Sequence, residues 1–447
     1  MNKISVRFQP FYIWLLLLAG FAVRLWAFRL DFYFVNDVLT FQMWAIHLFD
    51  NGFANFYSAD FFSDYPPVYM YVLFLLGALR SGVQAIFGVE YWQVLSSSTF
   101  MFFTFLPAIL SDLGIGFVLY RMAAKFRASR TEAKESNGNA TSQSFDYVPL
   151  LIAAAWIFNP AVIIISSVWG QIESVFVLLL LLSLISLREK KLLVAYVLFG
   201  VAILTKPQSL FLGPVYLYSA YDYLHTYKLS GKAFLYVVYS IAAGIFAMVL
   251  VSLPFGSAHF DLPFGVTATI NQLVYGMGLY GHATVNAFNF WALVGSNWQP
   301  VESEAIWGIS YGTIGVFIAL AIIVSALIAL HIDRTKHEGK HFYLIVAALF
   351  IVIFTFSVRM HERYMFAGLL FLLAYYLENR QRREFILYWA FSAMFFVNCL
   401  EILRWANDGF NWALIDNSSI YFISAITVVL AVALILTVVG YLRGKIP

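Results

Sequence analysis

Charge is what this chain lacks. Only 11% of its 447 residues are Asp, Glu, Lys or Arg, against about 25% in an ordinary soluble domain. Cysteine is nearly absent too. Cys399 stands alone in an apolar stretch, which excludes an internal disulfide and disfavours a thiolate metal site. There is no glycine-rich phosphate loop and no soluble Rossmann-like part, so nucleotide chemistry is not indicated. The net charge of +3 is too small to suggest nucleic acid.

What is abundant is apolar surface: 62% of residues are hydrophobic and 19% aromatic. They lie in long runs, at 11–22, 175–187, 314–330 and 420–439. Runs of about 18 or more apolar residues read as membrane spans. Lys3 and Arg7 precede the first run, as in a signal peptide. That run lacks a small-residue cleavage site and continues into Arg24, so a retained first helix is expected.

The remaining basic residues set the topology, because Lys and Arg collect on the cytoplasmic side. Clusters occur at Lys3/Arg7, 121–134, 188–191, Lys228/Lys232, 334–340, 380–383 and Arg443/Lys445. Keeping all of them inside predicts an all-α, polytopic fold of about twelve spans. These fall near 11–30, 98–121, 148–167, 172–187, 193–205, 208–223, 233–254, 306–330, 342–357, 364–378, 385–403 and 418–442. Parity then forbids a span at 68–87, which is expected to lie juxtamembrane in the first outer loop, 31–97, with Arg80 snorkelling outward. The two helices of the hairpin 193–223 are short, the first rising about 20 Å against a core of roughly 30 Å, so Lys206 at its apex should sit in a cavity below the outer surface. The polar stretch 128–145 reads as a disordered cytoplasmic loop, where the sequon at Asn139 would go unglycosylated.

Ionisable residues in or near a membrane are the default functional candidates. Asp37 follows the first helix and suits either a general base or a helix N-cap. Asp64 precedes Tyr65-Pro66-Pro67, where a capped helix start accounts for it. Trp169, Gln171 and Glu173 share an outer turn; they suit sugar hydroxyls and a sugar face, or a capped turn in an aromatic belt. Lys206 and Gln208 sit at the hairpin apex, where the lysine needs an anion. Arg359, His361, Glu362 and Arg363 crowd another outer turn, which suits a phosphate or a snorkelling interface. Asn286, Asn289 and Trp291 form a second sugar-like patch or an interfacial helix. Asp112 lies inside the second span, serving a helix contact or a cavity. The first outer loop has no Asp-X-Asp pair; no cofactor is called for, and a divalent metal stays open.

In order along the chain, Asp37, Asp64-Tyr65-Pro66-Pro67, Ser111-Asp112, Asn159-Pro160, Trp169 to Ser174, Lys206-Pro207-Gln208, Asn289-Phe290-Trp291 and His361-Glu362-Arg363-Tyr364 resemble the GT-C superfamily of polyprenyl-phosphate-dependent glycosyltransferases. The likeness is to bacterial homologues of the GPI-anchor second mannosyltransferase and, more distantly, to the ER glucosyltransferases that extend lipid-linked oligosaccharide. The resemblance implies a conserved helical module with the first outer loop, 1–254, followed by an outer loop and a more variable helical part, 255–447. It implies an inverting hexosyltransferase, mannose or glucose class, working on the outer face of the cell membrane. Asp37 would be the base. Lys206, Arg359, His361 and Arg363 would hold the phosphate of a polyprenyl-phosphate sugar donor. Gln171, Glu173, Asn286, Asn289 and Trp291 would hold sugars of donor or of glycan or glycolipid acceptor, among membrane lipid. The alternatives are a transporter or flippase of a lipid-linked saccharide, and a polysaccharide polymerase or ligase.

Overall fold

The computed structural model describes residues 2–58, 60–88, 98–136, 146–256, 265–409 and 417–446. Long helices dominate: α1 (Asn2–Phe28), α2 (Val35–Asn51), α3 (Pro67–Phe87), α4 (Ser98–Ser136) and α5 (Val148–Ile157) come first. α6 (Pro160–Ile163) runs into a π-helical turn, Ile164–Trp169. α7 (Glu173–Arg188), α8 (Leu192–Ile203), α9 (Gly213–Thr226), α10 (Gly231–Ser252), α11 (Val266–Gly278) and α12 (Phe290–Leu293) follow. The chain closes with α13 (Tyr311–His337), α14 (Phe342–Phe356), α15 (Phe366–Asn379), α16 (Arg382–Asn407) and α17 (Asn417–Leu442). Two short strand pairs join loops: β1 (Thr284–Val285) beside β4 (Met360–His361), parallel, and β2 (Glu304–Ile306) with β3 (Ile309–Ser310), antiparallel.

Among the described residues, seven helices are long and apolar enough to cross a bilayer, or eight if the bent pair Val148–Ile157 and Pro160–Trp169 is one span. The expected count of about twelve is not reached by these criteria. α8, α14 and α15 are apolar but have 12, 15 and 14 residues, a rise of about 18–22 Å against a core of about 30 Å. α3 meets the length and composition test, so those criteria do not separate it from a span.

Local chemistry explains the breaks. Pro160 ends the α-helical ladder of α5 and opens α6, a bend of 44°. Asn159 caps α6 by accepting from the Ala161 N–H, and its amide donates to Tyr388 Oη at 2.7 Å and Ser392 Oγ at 2.8 Å on α16. Pro66 and Pro67 start α3 and Gly88 ends it in the left-handed region. Pro66, not Asp64, occupies the N-cap. α3 packs closely on α2 because Gly77 leaves room: a Cβ there would lie 2.1 Å from the Ala45 carbonyl oxygen.

One large core runs from Ile13 to Leu442 and binds α1, α4–α8 and α13–α17 together. A second, aromatic core joins α2, α3 and the end of α10 through Phe41, Trp44, Phe56, Tyr69 and Phe255. Arg80 is buried on α3 rather than turned outward. α4 continues to Ser136, through the first part of the expected disordered loop; Asn139 and the rest of that loop lie outside the described residues.

Candidate functional site: a buried charge cluster beside a cavity

Two short hairpins build the site. α8 and α9 meet at a 3-10 turn, Pro207–Leu212, preceded by Lys206. α14 and α15 meet at 357–365, which carries Arg359 to Arg363. Because these helices are short, both apices end beside the first turn of α2 and the turn after the π helix. The tight Trp169-Gly170-Gln171 turn depends on glycine: Gly170 has φ +88°, and a Cβ would meet Phe105 at 2.7 Å.

Asp37 lies in the first turn of α2, and no side chain caps that helix. Its Oδ2 accepts from Trp169 Nε1 at 2.7 Å, Gln171 Nε2 at 2.6 Å and Arg363 Nη1 at 3.3 Å. Glu173 pairs directly with Lys206 and lies 3.5 Å from Arg363 Nε. Glu362 Oε1 accepts from Arg363 Nη1 at 2.7 Å. Gln171 Oε1 takes the Tyr65 hydroxyl at 2.9 Å and lies 3.5 Å from Lys206 Nζ. Lys206 sits over the Tyr65 ring at 5.3 Å, and Arg363 over the Trp169 ring at 4.9 Å. Three carboxylates thus surround two cations, Lys206 and Arg363, and each cation is already matched.

Above the cluster lies a cavity of about 870 Å³. Asp37, Asp64, Gln171, Lys206, Gln208, Arg359, His361 and Arg363 line it, with Tyr65 and Tyr280. Burial and the Asp37 carboxylate push Asp64 up to about 6, against the pull of Lys206 and Arg363. Arg359 is at the rim, its backbone left-handed and its guanidinium donating to the Met277 carbonyl at 3.2 Å.

Other expected sugar contacts are placed elsewhere. Trp169 is fully buried and stacks on Phe34, centroids 5.0 Å apart, so it offers no free face to a sugar. Glu173 and Glu362 lie beneath the wall and neutralise the cations. Asn289 caps α12 and donates to the Phe354 carbonyl at 2.9 Å, and Trp291 Nε1 donates to the Phe356 carbonyl at 3.0 Å. These carbonyls belong to the last turn of α14, where helical partners run out. Asn286 accepts from Trp298 Nε1 at 2.9 Å, and its backbone N–H donates to Asn297 Oδ1 at 2.9 Å. The Asn-Phe-Trp segment therefore finishes a helix end instead of facing the cavity. Asp112 makes a helix contact: it accepts from Arg24 Nε and Nη2 at 3.0 Å, both side chains fully buried, and from Ser174. The reading of residues missed Tyr65 as a ligand of Gln171, though it named the dipeptide around it, and Tyr280, which carries no sequence signal.

The site defines a class: a polytopic helical membrane protein whose cavity rests on a charge cluster in which each cation is paired with carboxylates of the same chain. The family model described as GPI transamidase subunit PIG-U matches residues 34–291, from the start of α2 into α12. The chain belongs to the PIG-U family. No curated protein matches it. The match overturns the GT-C glycosyltransferase assignment, and with it hexosyl transfer, the enzyme class, the polyprenyl-phosphate donor and glycan or glycolipid acceptor, and the transporter and polymerase alternatives. The motifs behind that assignment are short and were weighed by their order. Several do structural work here, such as the Asn159-Pro160 bend and the Asn289 cap, and such roles carry no particular chemistry.

Proposed function

We propose that this chain is a non-catalytic membrane subunit of a GPI-transamidase-type assembly, and that its outer cavity receives the polar headgroup of the GPI anchor. The family match over residues 34–291 carries this reading, because it covers Asp37, Asp64, Gln171, Lys206 and Gln208 of the cavity. The engagement of Asp37 supports a holding role. Its Oδ2 already accepts from three donors and is a firm anchor for Gln171 and Arg363. Mixed donors and acceptors on the wall suit a headgroup rich in hydroxyls, with Arg359 at the rim for its phosphate.

The finer topology belongs to the same proposal. Both termini face the cytoplasm and the cavity opens outward. α2 and α3 lie against the outer surface, and the short hairpins α8–α9 and α14–α15 carry the cluster below it. Purification of the tagged chain from its native membranes in a mild detergent tests the assembly. Stoichiometric co-elution with other membrane proteins is expected. A chain that elutes alone, under conditions that preserve other membrane complexes, overturns the proposal.

A further inference from the structure

A second cavity, about 1040 Å³, lies between α13, α14 and α17, beginning beside the stretch of α13 that also lines the first and running on towards the other end of that helix. Its wall is apolar along α14 and α17, with Leu349 and Val438 among the lining residues. On α13 the lining includes Ala321, Ser325 and Ala329, spaced four apart and so stacked on one face. Small side chains at that spacing hollow the helix face into a channel. The lining runs along α13 from Ile318 to His337, about 28 Å of helix rise. That exceeds one leaflet, about half of a roughly 30 Å hydrocarbon core.

The channel is polar at one end only. Lys336, Arg443 and Lys445 gather there with His337, whose Nε2 lies 3.2 Å from the Leu442 carbonyl and ties the end of α13 to that of α17. Arg334 nearby is paired with Asp222, whereas Lys336, Arg443 and Lys445 enter no ion pair among the described residues. The acidic neighbours are Glu338, which is exposed, Asp333, whose carboxylate holds the His341 backbone N–H, and Glu384, buried, which accepts from the Tyr441 hydroxyl at 2.8 Å. Three uncommitted cations over an apolar slot complement an amphiphile with an anionic head and a long apolar tail.

We infer that this channel binds one anionic phospholipid, with an acyl chain beside Ala321, Ser325 and Ala329 and the headgroup phosphate among Lys336, Arg443 and Lys445. A basic residue near an anionic lipid surface is worth roughly fivefold in affinity, so removing all three should cost on the order of a hundredfold. The full chain, purified and delipidated, is titrated with phosphatidylglycerol or phosphatidylcholine in nonionic detergent, and bound lipid is counted by native mass spectrometry. The expected result is one retained phosphatidylglycerol and far weaker phosphatidylcholine. The K336Q/R443Q/K445Q variant should lose that preference, and Ala329→Phe, which fills the slot and keeps the charges, should lose retention of both lipids. Equal retention of the two lipids by the wild type overturns the inference. So does a triple variant that keeps the preference, or an Ala329→Phe variant that is folded by circular dichroism and still retains phosphatidylglycerol.

Discussion

Replacing Lys206 by Met separates a structural cation from one kept for a ligand. Lys206 and Glu173 are almost wholly buried, with side-chain exposures of 3% and 2%. If the lysine awaited an absent phosphate, its removal would relieve a desolvated charge and raise stability. The geometry says otherwise, because the ammonium meets Glu173 directly and approaches Gln171. Removing one member of a buried pair leaves the other uncompensated, at a cost of about 3–5 kcal/mol. Arg363 Nε, 3.5 Å from Glu173, recovers part of this, so the lower end of that range is expected. Lys206→Met/Glu173→Gln removes both charges and should be more stable than the sum of its singles by about 0.5–3 kcal/mol. Denaturation in mixed micelles, followed by tryptophan fluorescence, measures all four forms. Wild-type or greater stability in Lys206→Met, or strict additivity in the double variant, refutes the argument.

Asp64 makes stability depend on pH. Its carboxyl is raised to about 6 from an ordinary 3.8, so between those values the folded chain holds a proton that the unfolded chain has released. Stability should therefore fall as pH rises from about 4 to about 6, and Asp64→Asn should flatten that step in melting temperature. Arg24→Met should destabilise strongly, by about 3–5 kcal/mol, because it strands Asp112 in the interior; the Arg24→Met/Asp112→Asn double should recover much of the loss in the same denaturation assay. Asn289→Ala should lower the melting temperature through the lost cap and the unmet Phe354 carbonyl, by about 1–2 kcal/mol, without altering headgroup binding, which calorimetry with a soluble phosphoinositol glycan would show.

The helices were legible because membrane burial writes itself as apolar runs. Spans expected at 385–403 and 418–442 fall on α16 and α17, which are long and apolar enough to cross, and the one expected at 172–187 falls on the shorter helix α7. The sequence also pointed to the site: Asp37, Gln171, Lys206 and Arg363 stood out as polar groups with nowhere to go in lipid, and they converge. What composition and spacing hold no record of is who neutralises whom. Lys206 and Arg363 read as anion seekers, and their anions turned out to be Glu173, Asp37 and Glu362 of the same chain. Asn289 and Trp291 misled for a related reason. A polar side chain that completes a helix end 65 residues away in sequence is locally indistinguishable from one that waits for a ligand.

The charge cluster also has a history within each molecule's synthesis. Asp37 and Glu173 are made first, Lys206 next, and Arg363 long after, 326 residues beyond Asp37. A nascent chain that has reached residue 300 holds two carboxylates and a single ammonium at this level, with α14 and α15 still to come. Only arrival of the last short hairpin brings the guanidinium that Asp37 and Glu362 share. The cavity therefore cannot be finished by its first half alone. A chain stopped before this hairpin lacks Arg359, His361 and Arg363 of the cavity wall, and its Asp37 keeps only the neutral donors Trp169 and Gln171.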